Sequence, residues 1–203
     1  MDLISDLVLQ AVASPWLYLA MFAVALIDGF FPPVPSETVL VAAAAVAAST
    51  GRPDLIALGL AAAAGAAIGD NIAFAIGRRT GTTRLAWRRR PRVARALTWA
   101  RAALDRRGAG LILGARFIPV GRVAVNLSAG AVGYPWRRFA LLSVAAGLCW
   151  AGYSIAIGLL AGAWLKDSPL LSAGLGIVLA VGIGLLVDRL VAARARRVPA
   201  IVD

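Results

Sequence analysis

Four charged side chains stand where a charge is expensive. Asp28, Glu37, Arg116 and Arg122 all lie inside apolar stretches of the chain. An ionised side chain at the centre of a bilayer costs about 2.5–3.5 kcal/mol, so four unpaired ones would cost on the order of 10 kcal/mol. That rivals the stability of a whole domain. These residues are therefore expected to pair with one another, to meet water, or both.

Their types indicate the chemistry. Arg116 and Arg122 are six positions apart, which on an unbroken helix turns them about 120° from each other. Pro119 and Gly121 interrupt that helix and let the two guanidiniums converge. Converging guanidiniums suit a phosphate, because their planar forks take its oxygens in pairs. The acids offer something else. A carboxyl in a low-dielectric site holds its proton more tightly, and a nearby Arg loosens it. A carboxyl that loses its Arg to an incoming anion changes charge, which couples proton movement to phosphate binding. Asp28 and Glu37 are thus the proton-coupling candidates, and Arg116 and Arg122 the phosphate-binding ones. Asp70, Asn71, Asn126 and Ser36 are polar residues that could support them.

Plainer roles stand beside these. Ser36 and Glu37 could cap the helix that follows them, with Glu37 favoured by the positive end of its dipole. Asp28 could sit hydrated at an interface. Arg116 and Arg122 could extend to the membrane surface. Asp70 could pair with Arg78 or Arg79. Trp16, Trp136 and Trp164 read as interfacial anchors. The chain has no histidine, which removes imidazole bases and ligands, and its one cysteine, Cys149, has no partner for a disulfide. No metal or cofactor site is expected.

The elements that position these residues follow from composition. Of 203 residues, 61% are hydrophobic and 15% charged, with a mean hydropathy of +0.82. Soluble domains carry about 45–50% apolar and about 25% charged residues, so lipid must solvate much of this surface. The whole chain reads as one membrane domain, all-α and polytopic. Abundant Arg and Ala point to a GC-rich bacterial genome, and the acidic start Met-Asp-Leu-Ile-Ser-Asp lacks the basic region of a cleavable signal.

A spanning helix needs about 20 apolar residues, and three segments reach that length: 54–77, 139–164 and 169–191. Two further stretches, 15–50 and 109–134, are apolar but broken. The first break holds Pro32, Pro33 and Pro35, the second Pro119 and Gly121. Broken backbone cannot face lipid, so each stretch is expected to be a re-entrant helical hairpin, buried in protein or lining a wet cavity. Residues 1–14 form a separate N-terminal segment.

Charge orients these pieces. Residues 1–77 carry one basic residue against six acids, whereas 78–203 carry 20 basic residues against four acids. A net charge of +11 here reports topology rather than nucleic acid, because Arg and Lys collect in cytoplasmic loops. The segment 78–107 holds eleven Arg and an apolar stripe of Val93, Leu97, Ala100 and Leu104, as expected of a cytoplasmic surface helix. The tail 192–203 is also basic and is placed inside. The first repeat, 15–77, and the second, 108–164, then run with opposite orientation. Inverted repeats with broken helices are a recurring transporter plan.

Several blocks together resemble the DedA family (SNARE-associated or VTT-domain proteins). They are Pro32-Pro-Val-Pro-Ser-Glu37 with Asp28 upstream, Gly65-Ala-Ala-Ile-Gly69-Asp70-Asn71 with Ile76-Gly77-Arg78, and Gly114-Ala-Arg116-Phe117-Ile-Pro119 through Arg122. Ala129-Gly130, Phe139, Gly147 and Trp150 follow in order, so the likeness covers about residues 20–155. Phe74 departs from it, standing where Tyr is common, as does Asp28, where Glu is frequent. The resemblance implies two opposed re-entrant hairpins, activity dependent on the membrane potential, and transport of undecaprenyl phosphate or a phospholipid. It also implies that Asp28 and Glu37 are the essential acids, and Arg116 and Arg122 the essential arginines.

The expected function is thus proton-driven movement of a lipid phosphate across the bacterial plasma membrane, by a protein that is not an enzyme and has its C-terminus in the cytoplasm. Its partners are the lipid phosphate, protons and the membrane, with no nucleic acid; homo-oligomerisation stays open. The alternatives are a lipid-diphosphate phosphatase, an exporter of small cations or drugs, and a passive scramblase. The missing histidine weighs against the first, and the Arg pair against the second.

Overall fold

A computed structural model describes residues 14–31, 34–83 and 91–164 of the chain. The expected helix 169–191, the tail, nearly all of the N-terminal segment, and Pro32 and Pro33 lie outside the described residues. Among the described residues six helical elements follow in order: α1 (Trp16–Asp28), α2 (Ser36–Thr50), α3 (Leu55–Thr83), α4 (Pro91–Ala115), α5 (Pro119–Ala131) and α6 (Trp136–Trp164).

Length sorts them into two kinds. α3 and α6 have 29 residues each, about 43 Å at 1.5 Å per residue, which exceeds the ~30 Å of a bilayer core. Both are apolar over that length, yet less than half of each apolar window is buried within the protein. Ile56 is 76% exposed and Leu141 73%, which suits helices whose outer faces meet lipid. α1 and α2 are apolar too, and α5 carries Arg122 and Asn126; with 13, 15 and 13 residues these three reach only about 20–22 Å.

The boundaries have local causes. Gly51 ends α2 in the left-handed conformation, at φ 72°, which costs glycine least. Asp54 then caps α3, its Oδ1 accepting from the Ala57 amide at 2.8 Å. Pro119 opens α5 at a position where its missing N–H costs nothing.

One expected boundary moves and another is marked by a kink. Helix 54–77 begins at Leu55 and continues to Thr83, beyond the expected start of the basic segment. The basic helix breaks at 107: Arg107 leaves the helical conformation, at φ −141° and ψ 31°, and a second helical piece runs on to Ala115. That second piece of α4 is the first leg of the broken stretch 109–134, and α5 is its second leg.

Packing crosses between the halves. α1 lies along α3, but α2 packs mainly on α6, and α5 mainly on α3. The second leg of each broken stretch thus rests on the long helix of the other half. Two apolar clusters result. One gathers Met21, Leu40, Leu58 and Trp150 from α1, α2, α3 and α6. The other gathers Phe74, Leu104, Ile112, Ala129 and Phe139, with the rings of Phe74 and Phe139 stacked at 4.5 Å.

One close approach sets up what lies between them. A Cβ on Gly29 would fall 2.5 Å from the Gly69 Cα, and one on Gly69 would fall 2.3 Å from the Leu26 carbonyl oxygen. Only glycines allow α1 and α3 to touch backbone to backbone here. The neighbouring residues, Asp28 and Asp70, are consequently brought to one place.

Candidate functional site

Between the two apolar clusters lies a buried polar one. Asp28, Ser36, Asp70, Arg116, Arg122, Asn126 and Ser143 are all at most 8% exposed. They come from α1, α2, α3, α5, α6 and the break between α4 and α5.

Asp70 stands at the centre. Its Oδ2 takes the Arg116 Nη1 at 2.6 Å and the Ser143 hydroxyl at 3.2 Å. Its Oδ1 accepts from the Asn126 amide at 2.9 Å and lies 3.9 Å from the Arg122 Nε. Burying a carboxylate is tolerable only when such partners replace water. The sequence allowed Asp70 a partner in Arg78 or Arg79; the ion pairs found here are with Arg116 and Arg122.

The second pair joins the two halves. Arg122 Nη2 lies 3.0 Å from Asp28 Oδ1 and also donates to the Asp28 backbone carbonyl. That carbonyl belongs to the end of α1, where a cation is favoured by the helix dipole. The Ser36 hydroxyl donates to the other Asp28 oxygen. Ser36 therefore spans the α1–α2 break instead of capping α2, which has no side-chain cap.

Glu37, one residue on, also does not cap. Its Oε1 accepts from the Tyr153 hydroxyl of α6, and the Tyr153 ring leans on Phe117 at 5.5 Å. Trp150, one turn earlier on α6, lies beneath the Arg116 guanidinium at 5.0 Å, within cation–π range.

These groups surround a cavity of about 240 Å³. Asp28, Glu37, Arg116 and Arg122 all line it, together with Ser36, Phe117, Trp150 and Tyr153. Drug-sized ligands occupy roughly 300–1,000 Å³, so this space suits a small polar group rather than a whole lipid. Arg116 Nε, Arg116 Nη2 and Arg122 Nε are buried without a hydrogen-bond partner. Such cationic donors make the cavity receptive to an anion. Among the described residues no group of His, Cys, Asp or Glu could hold a metal ion.

The structure thus brings together Asp28, Ser36, Glu37, Asp70, Arg116, Arg122 and Asn126. Asn71 lies apart: its Nδ2 donates to the Ala67 carbonyl at 2.8 Å, and its Oδ1 accepts from the Trp136 indole at 3.0 Å. Tyr153, Trp150 and Ser143 were not singled out for the site from sequence. Trp150 entered only through the family resemblance, and for Ser143 and Tyr153 the signal was polarity on the helix face that carries Trp150, seven positions before it and three beyond. Phe74 carries no hydroxyl and is fully packed against Phe139.

The profile of the family described as the VTT domain matches residues 34–160, more than half of the chain. A membrane protein of Mycobacterium bovis, itself uncharacterized, is 34% identical over 174 residues, covering 79% of this chain and 78% of that protein. Uncharacterized membrane proteins from two strains of Mycobacterium tuberculosis match to the same extent. No solved structure matches significantly. With its apolar long helices and its buried charged cavity, the chain belongs to the VTT-domain (DedA) family of membrane proteins.

Proposed function

We propose that the protein carries a lipid phosphate across the bacterial inner membrane, drawing on the proton gradient, with undecaprenyl phosphate the first candidate and a phospholipid the second. One observation carries this reading. Two arginines and two carboxylates, Arg116, Arg122, Asp28 and Glu37, line one cavity of about 240 Å³. The arginines suit the phosphate, and the acids suit the proton. The acyl or polyprenyl tail would remain in lipid.

The α1–α2 and α4–α5 breaks are read as the tips of two opposed re-entrant hairpins in an inverted repeat. The short legs and the crossed packing of α2 on α6 and α5 on α3 support that reading. The basic segment around α4 and the tail are placed in the cytoplasm by charge. One proton moving through 100 mV supplies about 2.3 kcal/mol, enough to bias a lipid distribution roughly fiftyfold.

The test is uptake of labelled undecaprenyl phosphate by proteoliposomes, with and without an imposed pH gradient. Uptake that rises with the gradient is expected. Gradient-independent equilibration would indicate a scramblase, and phosphate release from a lipid diphosphate would indicate an enzyme.

A further inference from the structure

Both arginines of the cavity bear the same charge, but their forks are differently engaged. A guanidinium has one side-on edge, formed by Nε–H and Nη2–H, that meets two oxygens of one anion at once. In Arg122 half of this edge is committed, and its Nε, like both edge donors of Arg116, has no hydrogen-bond partner. Its Nη2 holds the Asp28 carboxylate at 3.0 Å and the Asp28 carbonyl, and its Nε lies 3.9 Å from Asp70.

In Arg116 the same edge is free. Only Nη1, on the far side of the fork, is used, and it is held by Asp70 at 2.6 Å. Nε and Nη2 are buried without a hydrogen-bond partner, and the side chain is only 1% exposed. Two buried, unpaired cationic N–H groups are costly to leave unsatisfied. Arg116 lines the cavity, whereas Asp70 does not line it and lies behind. Trp150 fixes the plane of the fork from one face. Asn126 and Ser143 fix Asp70 in turn.

We infer that the two arginines divide the work: the Nε/Nη2 edge of Arg116 is the two-pronged seat for an oxyanion, Asp70 is the positioning residue that turns this edge toward the cavity, and Arg122 is a strut joining Asp28 to the second half. The inference rests on the reading of the cavity as a phosphate site and assigns its parts. The ligand chemistry is a phosphate monoester or free phosphate, either of which offers two oxygens to the fork.

The experiment is calorimetric titration of the full chain in detergent with short-chain phosphatidic acid and, separately, with inorganic phosphate. Arg116→Lys keeps the charge but loses the paired edge, and is expected to lower affinity at least about tenfold. Arg122→Lys is expected to lower affinity less than Arg116→Lys does, and to lower the thermal midpoint more. Asp70→Asn keeps both guanidiniums and loosens the anchor. It is expected to weaken binding severalfold and, in proteoliposomes, to raise the KM for lipid uptake more than it lowers the maximal rate.

If Arg116→Lys does not fold, Asp70→Asn alone decides, and unchanged affinity there overturns the assignment. Loss of binding in Arg122→Lys as deep as in Arg116→Lys also overturns it, because the anion would then be shared. Parallel losses for both probes support it with the phosphate group as sole determinant. Losses confined to phosphatidic acid support it with the lipid as the source. If the unmutated protein binds neither probe, the phosphate reading of the cavity fails, and the assignment with it.

Discussion

The Arg122 guanidinium reaches across the fold to hold both the side chain and the backbone carbonyl of Asp28, 94 residues earlier. One cation thus closes the end of α1 and neutralises its last carboxylate. Breaking a buried pair by removing one partner costs about 3–5 kcal/mol, because the other charge is stranded. Arg122→Gln and Asp28→Asn should each lower stability, and the double variant should lose less than the sum. Chemical denaturation of all four proteins in detergent measures that coupling, and strict additivity would show the pair to be inert.

Glu37 differs from the other acids, since its partner in the structure is the Tyr153 hydroxyl rather than an arginine. Glu37→Gln is nearly isosteric and removes the ionisable group. It is expected to leave the fold intact and lipid binding in place, and to abolish the response of uptake to a pH gradient. Tyr153→Phe keeps the carboxyl and should keep that response. Proteoliposome uptake at matched and imposed pH distinguishes them. Full gradient dependence in Glu37→Gln would sink the proposed coupling role.

Asn71 and Asn126 were equal candidates from sequence, and the structure separates them. Asn126 donates to Asp70, whereas Asn71 pairs with Trp136 at the protein surface. Asn126→Ala should weaken lipid-phosphate binding severalfold, since a buried hydrogen bond to a charged group contributes about 1.5–3 kcal/mol. Asn71→Ala should leave it within twofold. Titration with short-chain phosphatidic acid measures both.

This contrast shows what was legible in the sequence. The breaks near residues 29–35 and 116–118 could be read because proline forbids an interior helical turn. The four cavity charges stood out because lipid penalises them. The partner of Asp70 was not legible. Arg78 lies two helical turns away in sequence and Arg116 lies 46 residues away, and only the crossed packing of the helices decides between them. Tyr153 looked like any aromatic in an apolar helix until α2 was placed beside it. The extension of α3 past residue 77 to Thr83 was hidden because Arg78 and Arg79 read as the start of a basic loop, while nothing there forbids helix.

The glycine contact is a sharper test of packing. Gly69→Ala would place a Cβ 2.3 Å from the Leu26 carbonyl oxygen, and helix backbone cannot yield as a side chain can. Overpacking of this kind costs about 1–3 kcal/mol, so a lowered thermal midpoint is expected. An unchanged midpoint would mean that α1 and α3 are not in backbone contact.

Orientation can be tested on exposed positions in a Cys149→Ala background. Arg52→Cys, in the turn before α3, should react with an impermeant thiol reagent in intact cells. Trp99→Cys, on α4, should react only after the membrane is opened. The reverse pattern would invert the proposed topology.

The crossed packing of α2 on α6 and α5 on α3 also orders events at the ribosome. Asp28 emerges 94 residues ahead of Arg122, a delay of roughly 5–20 s at typical rates of about 5–20 residues per second. During that interval α1 holds a carboxylate without its cation, and α2 lacks the helix it finally rests on. The cavity therefore cannot take shape as its first residues are made, and a chain cut short before α6 lacks Trp150 and Tyr153 from its lining. Assembly of the site is a late step, and quality control of nascent chains would meet this protein in its most polar and least compact form.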